Sequence, residues 1–183
     1  MTVQVREAAE ADRPAIAAIN QAAFGAEEGP VIVGLMDELL ADPTAEPRLC
    51  LVATVAEQVV GYILFTSARL EPDQPEVAAS LLAPMAVHPD HQNQGIGGRL
   101  IQEGLARLQA AGVDLVFVLG HVGFYPKFGF TPAGAEGFEA MYPIPPENAD
   151  AWMVQALHPE GTGRAHGRVV AADALDDPAY WIE

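Results

Sequence analysis

Eight consecutive residues, Gln92-Asn93-Gln94-Gly95-Ile96-Gly97-Gly98-Arg99, have the types and spacing to hold an anion through the backbone. From Ile96 the apolar positions Leu100, Ile101, Leu105 and Leu108 recur at helical spacing, so the glycines fall at a helix start. The first N–H groups of a helix have no intrahelical partner, and glycines leave them uncovered. The helix dipole adds partial positive charge at the same place. A Walker-type loop needs a Lys, and none follows these glycines. A dinucleotide fingerprint needs a third glycine where Leu100 stands and an acid at the end of the next strand. Asp114 instead precedes the apolar run Leu115–Leu119. An unrelated phosphate- or nucleotide-binding α/β protein, or a Gly-rich turn without a ligand, remain as alternatives.

The loop follows Leu81 to Val87, an apolar run of strand length with Pro84 inside it. Proline lacks a ladder donor, so it marks a bulge or an end of pairing. His88-Pro89-Asp90 then stops the strand. In this setting the pattern Gln92-x-x-Gly95-x-Gly97 resembles the [RQ]-x-x-G-x-[GA] acetyl-CoA loop of the GNAT acetyltransferases. A second stretch, Phe124-Tyr125-Pro126-Lys127-Phe128-Gly129-Phe130, follows the strand candidate Leu115–Leu119. Tyr125, Gly129 and Phe130 match the family's Tyr-x-x-x-Gly-Phe signature, and Pro126 suggests a very short helix there. The two motifs stand one helix and one strand apart, as in the family. The resemblance covers roughly Val59 to Thr131 and weakens after Ala140.

The resemblance implies an α/β (mixed α+β) fold: a central mixed, mostly antiparallel sheet, its fourth and fifth strands splayed, flanked by helices. It implies an N-acetyltransferase that passes an acetyl group from acetyl-CoA to a primary amine by direct attack. A non-catalytic acyl-CoA-binding module of the same fold is the alternative. Gln92, Asn93, Gln94, Gly95, Ile96, Gly97, Gly98 and Arg99 would hold the pyrophosphate. Met85, Ala86 and Val87 would meet the pantetheine arm and acetyl oxygen, and Tyr125 would donate to the departing sulfur. The loop begins with neutral Gln92, so loop N–H groups and the dipole are expected to carry the phosphates, with Arg99 the nearby cation. No motif fixes the general base; Glu76, before the fourth strand, and His121, after the fifth, are candidates. His88-x-x-His91 spans a Pro-Asp turn with no further ligand nearby, so no metal is expected.

The elements that must position these residues are legible in outline. Val3–Arg6 alternates as a first strand, and Glu10–Pro14 starts a helix. Gly29-Pro30 is expected to break it, with a second helix running to Asp42-Pro43. Its acids Glu27, Glu28, Asp37 and Glu38 are solvated surface, with one or two able to meet an amine. Leu49–Ala56 and Val59–Leu70 read as a hairpin joined by Glu57-Gln58, and Glu76–Val87 as the next strand. Ala151–Leu157 is a plausible last partner in the sheet. Gly161–Arg164 leads to a short strand candidate, Gly167–Val170. Tyr180 and Trp181 pack back onto the domain or onto a partner chain, so a homodimer stays open.

The 183 residues suit one domain, 1–183, with a sizeable core; 141–183 forms a less regular extension. There are 25 acids against 9 bases, a formal net charge of −16. Such a chain repels nucleic acid and anionic membranes and is compatible with an amine. Cys50, the one cysteine, lies in an apolar run and reads as an inert core residue. The N-terminus has neither the basic start nor the apolar core of a signal peptide, which leaves the cytoplasm as the default.

Overall fold

A computed structural model describes residues 2–158 and 165–182; Gly161–Arg164 falls outside them. Among the described residues nine strands build the sheet: β1 (Val3–Glu7), β2 (Leu49–Val55), β3 (Gln58–Glu71), β4 (Ala79–Val87), β5 (Leu115–Leu119), β6 (Thr131–Pro132), β7 (Phe138–Glu139), β8 (Trp152–Ala156) and β9 (Gly167–Val170). The main order is β1-β2-β3-β4-β5-β8-β6, with β9 bridging the far end of β3 and the short β7. β1 to β4 form an antiparallel meander, β4 and β5 are parallel, and β8 returns antiparallel to β5. The mixed sheet thus matches the expected fold class. The β2–β3 turn sits one residue earlier than the sequence suggests, at Ala56-Glu57, both with positive φ. β4 begins at Ala79, three residues after Glu76.

Helix α2 (Ile96–Ala110) connects β4 to β5. Its buried side is Ile96, Leu100, Ile101, Leu105 and Leu108, the stripe its periodicity predicts. Gly104 completes that stripe because a Cβ there would stand 2.3 Å from the Phe65 ring. Helix α1 (Arg13–Ala41) covers the other face, so the sheet separates two cores. The break in α1 falls at Gly25 (φ 85°, ψ −177°), not at Gly29-Pro30. Gly25 takes a backbone conformation closed to other residues, whereas Pro30 is accommodated inside the second segment. Gly29 serves a different purpose. A Cβ on it would lie 2.9 Å from the Gln21 Cα, so the glycine lets the two segments approach.

The irregular last third returns to the sheet. Trp181 is 2% exposed, its indole donates to the Leu175 carbonyl (2.9 Å), and its ring meets Trp152 edge-on. Backbone N–H groups of Asp173 and Ala174 donate to Thr44 Oγ1 and Asp42 Oδ2, fastening this segment to the end of α1. The terminal aromatics therefore pack on their own chain.

Candidate active site

The strands β4 and β5 pair only at Ala79↔Leu115, Ser80↔Val116 and Leu81↔Phe117. Beyond that both strands continue without each other. The cause lies in β4: between Leu82 and Met85 it carries one residue more than β3, a bulge containing Pro84. The expected splay is present, and it opens a cleft of about 1030 Å³. The His88 N–H donates to the Val60 carbonyl on the β3 side (2.8 Å). Strand groups alternate direction, so the Met85 and Val87 N–H groups point the other way, into the gap.

At the end of β4 the loop turns through Asn93 (φ 62°) and Gly95 (φ 82°) into α2. The N–H groups of Ile96, Gly97 and Gly98 belong to the open first turn; Arg99 N–H is the first to bond back, to the Gly95 carbonyl (3.0 Å). A Cβ on Gly97 would reach the Phe124 ring at 3.3 Å and Met85 and Val87 at 3.9 Å. The glycine thus keeps a slot open between the loop, β4 and the Tyr125 turn. The Gln92 amide donates to the Val87 carbonyl (2.9 Å), so this side chain braces the loop while also lining the cleft. Gln94 is exposed and does not line the cleft; Asn93, Gly95, Ile96, Gly97, Gly98 and Arg99 do, as do Met85, Ala86 and Val87.

Opposite the loop, Tyr125–Phe128 forms a single 3-10 turn ended by Gly129 in the left-handed region (φ 100°). The His121 carbonyl accepts from Phe124 and Tyr125 N–H and so fixes the turn. The Tyr125 ring is 8% exposed and meets Phe124 and Phe130 edge-on at 5.1 and 5.8 Å. Gly120 accommodates it, since a Cβ there would be 2.4 Å from the ring. Burial pushes the Tyr125 phenol up to about 12, so it remains a proton donor at any ordinary pH.

His121 lies on the cleft, exposed to solvent. Glu76 does not. It is exposed beyond the paired end of β4, and the nine residues of that strand separate it from the splayed end by roughly 25 Å. Burial also raises the Cys50 thiol to about 12, with the Asp12 charge adding to it, which suits an inert thiol away from the cleft. Among the described residues there is no group of three metal-ligating side chains and no helix long and apolar enough to cross a membrane.

The charge around the cleft inverts that of the chain. Arg99 and Lys127 line it, and neither is in an ion pair among the described residues. No carboxylate among the described residues does so. Arg99 is legible in the sequence as the loop's cation; Lys127 as its companion is not, nor is the far wall, where Phe24, Ile32, Leu35, Leu175 and Tyr180 come from α1 and the C-terminal segment. Nothing in the sequence marks which residues of a tail return to a site.

The cleft is thus a place where a parallel strand pair parts over a Gly-rich helix start, with a buried phenol across the gap. Residues 4–133 match the family model described as the acetyltransferase (GNAT) domain, and the chain belongs to the GNAT N-acetyltransferase family. It is 45% identical over 124 residues to YjhQ of Escherichia coli (strain K12), described as an uncharacterized N-acetyltransferase, covering 67% of this chain and 68% of that one. The crystal structure of YhbS from Escherichia coli, a GNAT family N-acetyltransferase in complex with CoA, superposes with a TM-score of 0.84. There the identity is 27%, covering 96% of this chain and 92% of that one. A GNAT family acetyltransferase from Brucella melitensis in complex with acetyl-CoA gives a TM-score of 0.74 at 29% identity, covering 96% and 99%. Family membership removes the alternative of an unrelated nucleotide-binding protein.

Proposed function

We propose that this chain, as a single domain, is an N-acetyltransferase that transfers acetyl from acetyl-CoA to the neutral form of a primary amine by direct attack. The observation that carries the reading is the gap between β4 and β5, with free strand N–H groups on one side and the Tyr125 phenol on the other. The pyrophosphate rests on the N–H groups of Ile96, Gly97 and Gly98 and on the dipole of α2. The Met85 and Val87 N–H groups hold the pantetheine arm and the acetyl oxygen, where negative charge grows as the amine adds. Tyr125 donates its proton to the departing thiolate. His121, directly or through water, takes the proton from the attacking amine. Coenzyme A complexes of two related structures support the choice of donor. The acting compartment is the cytoplasm.

Incubation with acetyl-CoA and a panel of amines, with thiol release followed, tests the reading. Amine-dependent release is expected. Tight acetyl-CoA binding without release across the panel would leave the non-catalytic module as the better description.

Arg99 and Lys127, both on the cleft, add charge to the loop N–H groups and dipole expected to carry the phosphates. The pair Arg99→Gln with Lys127→Gln is expected to weaken coenzyme A binding about tenfold at low salt and to flatten its dependence on ionic strength. Calorimetric titration at several salt concentrations checks this. An unchanged affinity would mean that the loop N–H groups hold the phosphates alone.

A further inference from the structure

We infer that the acceptor is an amine on an apolar body, an alkylamine or arylalkylamine, and not a polyamine, an amino acid or a lysine in a basic peptide; this rests on the transferase reading above. The cleft passes through the plane of the sheet. On the α2 face it is bounded by the glycine loop, Met85, Val87 and the Tyr125 turn. On the α1 face it continues between Phe24, Ile32, Leu35, Leu119, Leu175 and Tyr180. Donor and acceptor must approach the same carbonyl carbon, so the face not needed by the loop-bound donor is the acceptor's.

Among the described residues that wall carries one polar side-chain group, the Tyr180 phenol. Burial, then the charges of Glu38 and Asp177, raise its pKa, so it is neutral. The acids of α1 do not reach the lining. Glu27, Glu28 and Glu38 are exposed, and Asp37 is held by Arg13 at 2.9 Å. With 25 acids in the chain, their absence from the lining among the described residues separates two effects. The acidic surface draws cations towards the protein. No carboxylate lines the chamber among the described residues, so a second ammonium finds no direct partner there and meets Glu38 and Asp177 only from behind the Tyr180 phenol. An ammonium buried without a direct partner is strongly disfavoured. An amino acid fares no better, because the cleft's cations, Arg99 and Lys127, stand with the glycine loop and the Tyr125 turn on the donor side, and Arg13 of α1 is engaged by Asp37 and Glu10. A single amine on a hydrocarbon body meets the opposite conditions. Its body is buried against Phe24, Ile32 and Leu35. Desolvation in the same chamber lowers the amine's pKa towards the neutral form that attacks.

The test is kcat/KM for thiol release from acetyl-CoA with propylamine, butylamine, hexylamine, phenethylamine, spermidine and a lysine-containing peptide. A rise of about fourfold per added methylene from propylamine to hexylamine is expected. Phenethylamine is expected to exceed spermidine at least tenfold. Spermidine or the peptide equalling phenethylamine would overturn the inference. If no amine releases thiol, the transferase reading has failed. Calorimetry of hexylamine and spermidine on the coenzyme A-bound protein then still judges the chamber: hexylamine binding more tightly supports it, and equal, reversed or absent binding overturns it. Ile32→Glu, at a half-buried position, is expected to narrow the phenethylamine-to-spermidine ratio at least tenfold, while Ile32→Gln leaves most of it. Phe24→Glu offers the same readout if Ile32→Glu does not fold. An unchanged ratio in both folded Glu variants would mean that the acceptor does not lie on this wall.

Discussion

Gly97→Val is expected to abolish measurable coenzyme A binding, a loss of at least about a hundredfold, while thermal unfolding without ligand shifts little. The Cβ would sit 3.3 Å from Phe124 and 3.9 Å from Met85 and Val87, and the valine methyls would extend from there into the slot. The backbone tolerates the change. Gly97 has no positive φ, and valine in a helix is not inferior to glycine intrinsically. Neighbouring glycines make the contrast. A Cβ on Gly98 would stand 2.8 Å from Phe128, and one on Gly104 2.3 Å from Phe65, so substitutions there strike the packing of α2 before any ligand. Titration calorimetry with coenzyme A and a melting curve without it separate the cases. Wild-type affinity in a folded Gly97→Val protein would show that the loop is only a turn.

Tyr125→Phe is expected to lower kcat by roughly ten- to a thousand-fold with coenzyme A affinity nearly unchanged. The ring contacts with Phe124 and Phe130 survive the substitution, so the loss isolates the hydroxyl. The pH profile adds a second readout. Because burial moves the phenol from 10 to about 12, activity in the native protein is expected to rise as the amine deprotonates, with its descending limb displaced towards 12. For stability, the raised value means that burying the neutral phenol helps the fold fully below about pH 10, a contribution lost as pH climbs towards 12. Equal turnover in the phenylalanine variant, with chemistry rate-limiting, would take Tyr125 out of the mechanism.

How much of the molecule is legible in the sequence depends on the kind of signal. The buried stripe of α2 follows from a period of 3.6, and β9 from the β-branched pair Val169-Val170 after Gly167-Arg168. The bulge in β4 follows from Pro84, because a missing donor has a local consequence, whereas the splay of β4 and β5 is expected from the family resemblance. The break in α1 is misplaced in the sequence because Gly25 and Gly29 look alike as letters. What separates them is that one takes a positive φ and the other touches a neighbouring segment. The two-residue strands β6 and β7 have no pattern of their own and exist because β8 and β9 offer them partners. Glu76 fails as a cleft residue for a similar reason: nearness to β4 in sequence does not say which end of the strand the cleft occupies. The pattern marks Gln92 as a loop residue; it lines the cleft, and the pattern does not show that one of its amide N–H groups also braces the loop on Val87.

The separation of the two cores by the sheet has a kinetic meaning. On the proposed reading the donor enters the cleft from the α2 face and the acceptor from the α1 face, so neither substrate has to leave before its partner arrives. Cys50 lies off the cleft and holds its proton, and it is poorly suited to carry the acyl group between two half-reactions. Such a geometry favours a ternary complex formed in either order. Initial-velocity lines are then expected to intersect, and product coenzyme A to compete with the donor alone. Parallel lines would mean that some side chain of the protein is itself acylated on the way.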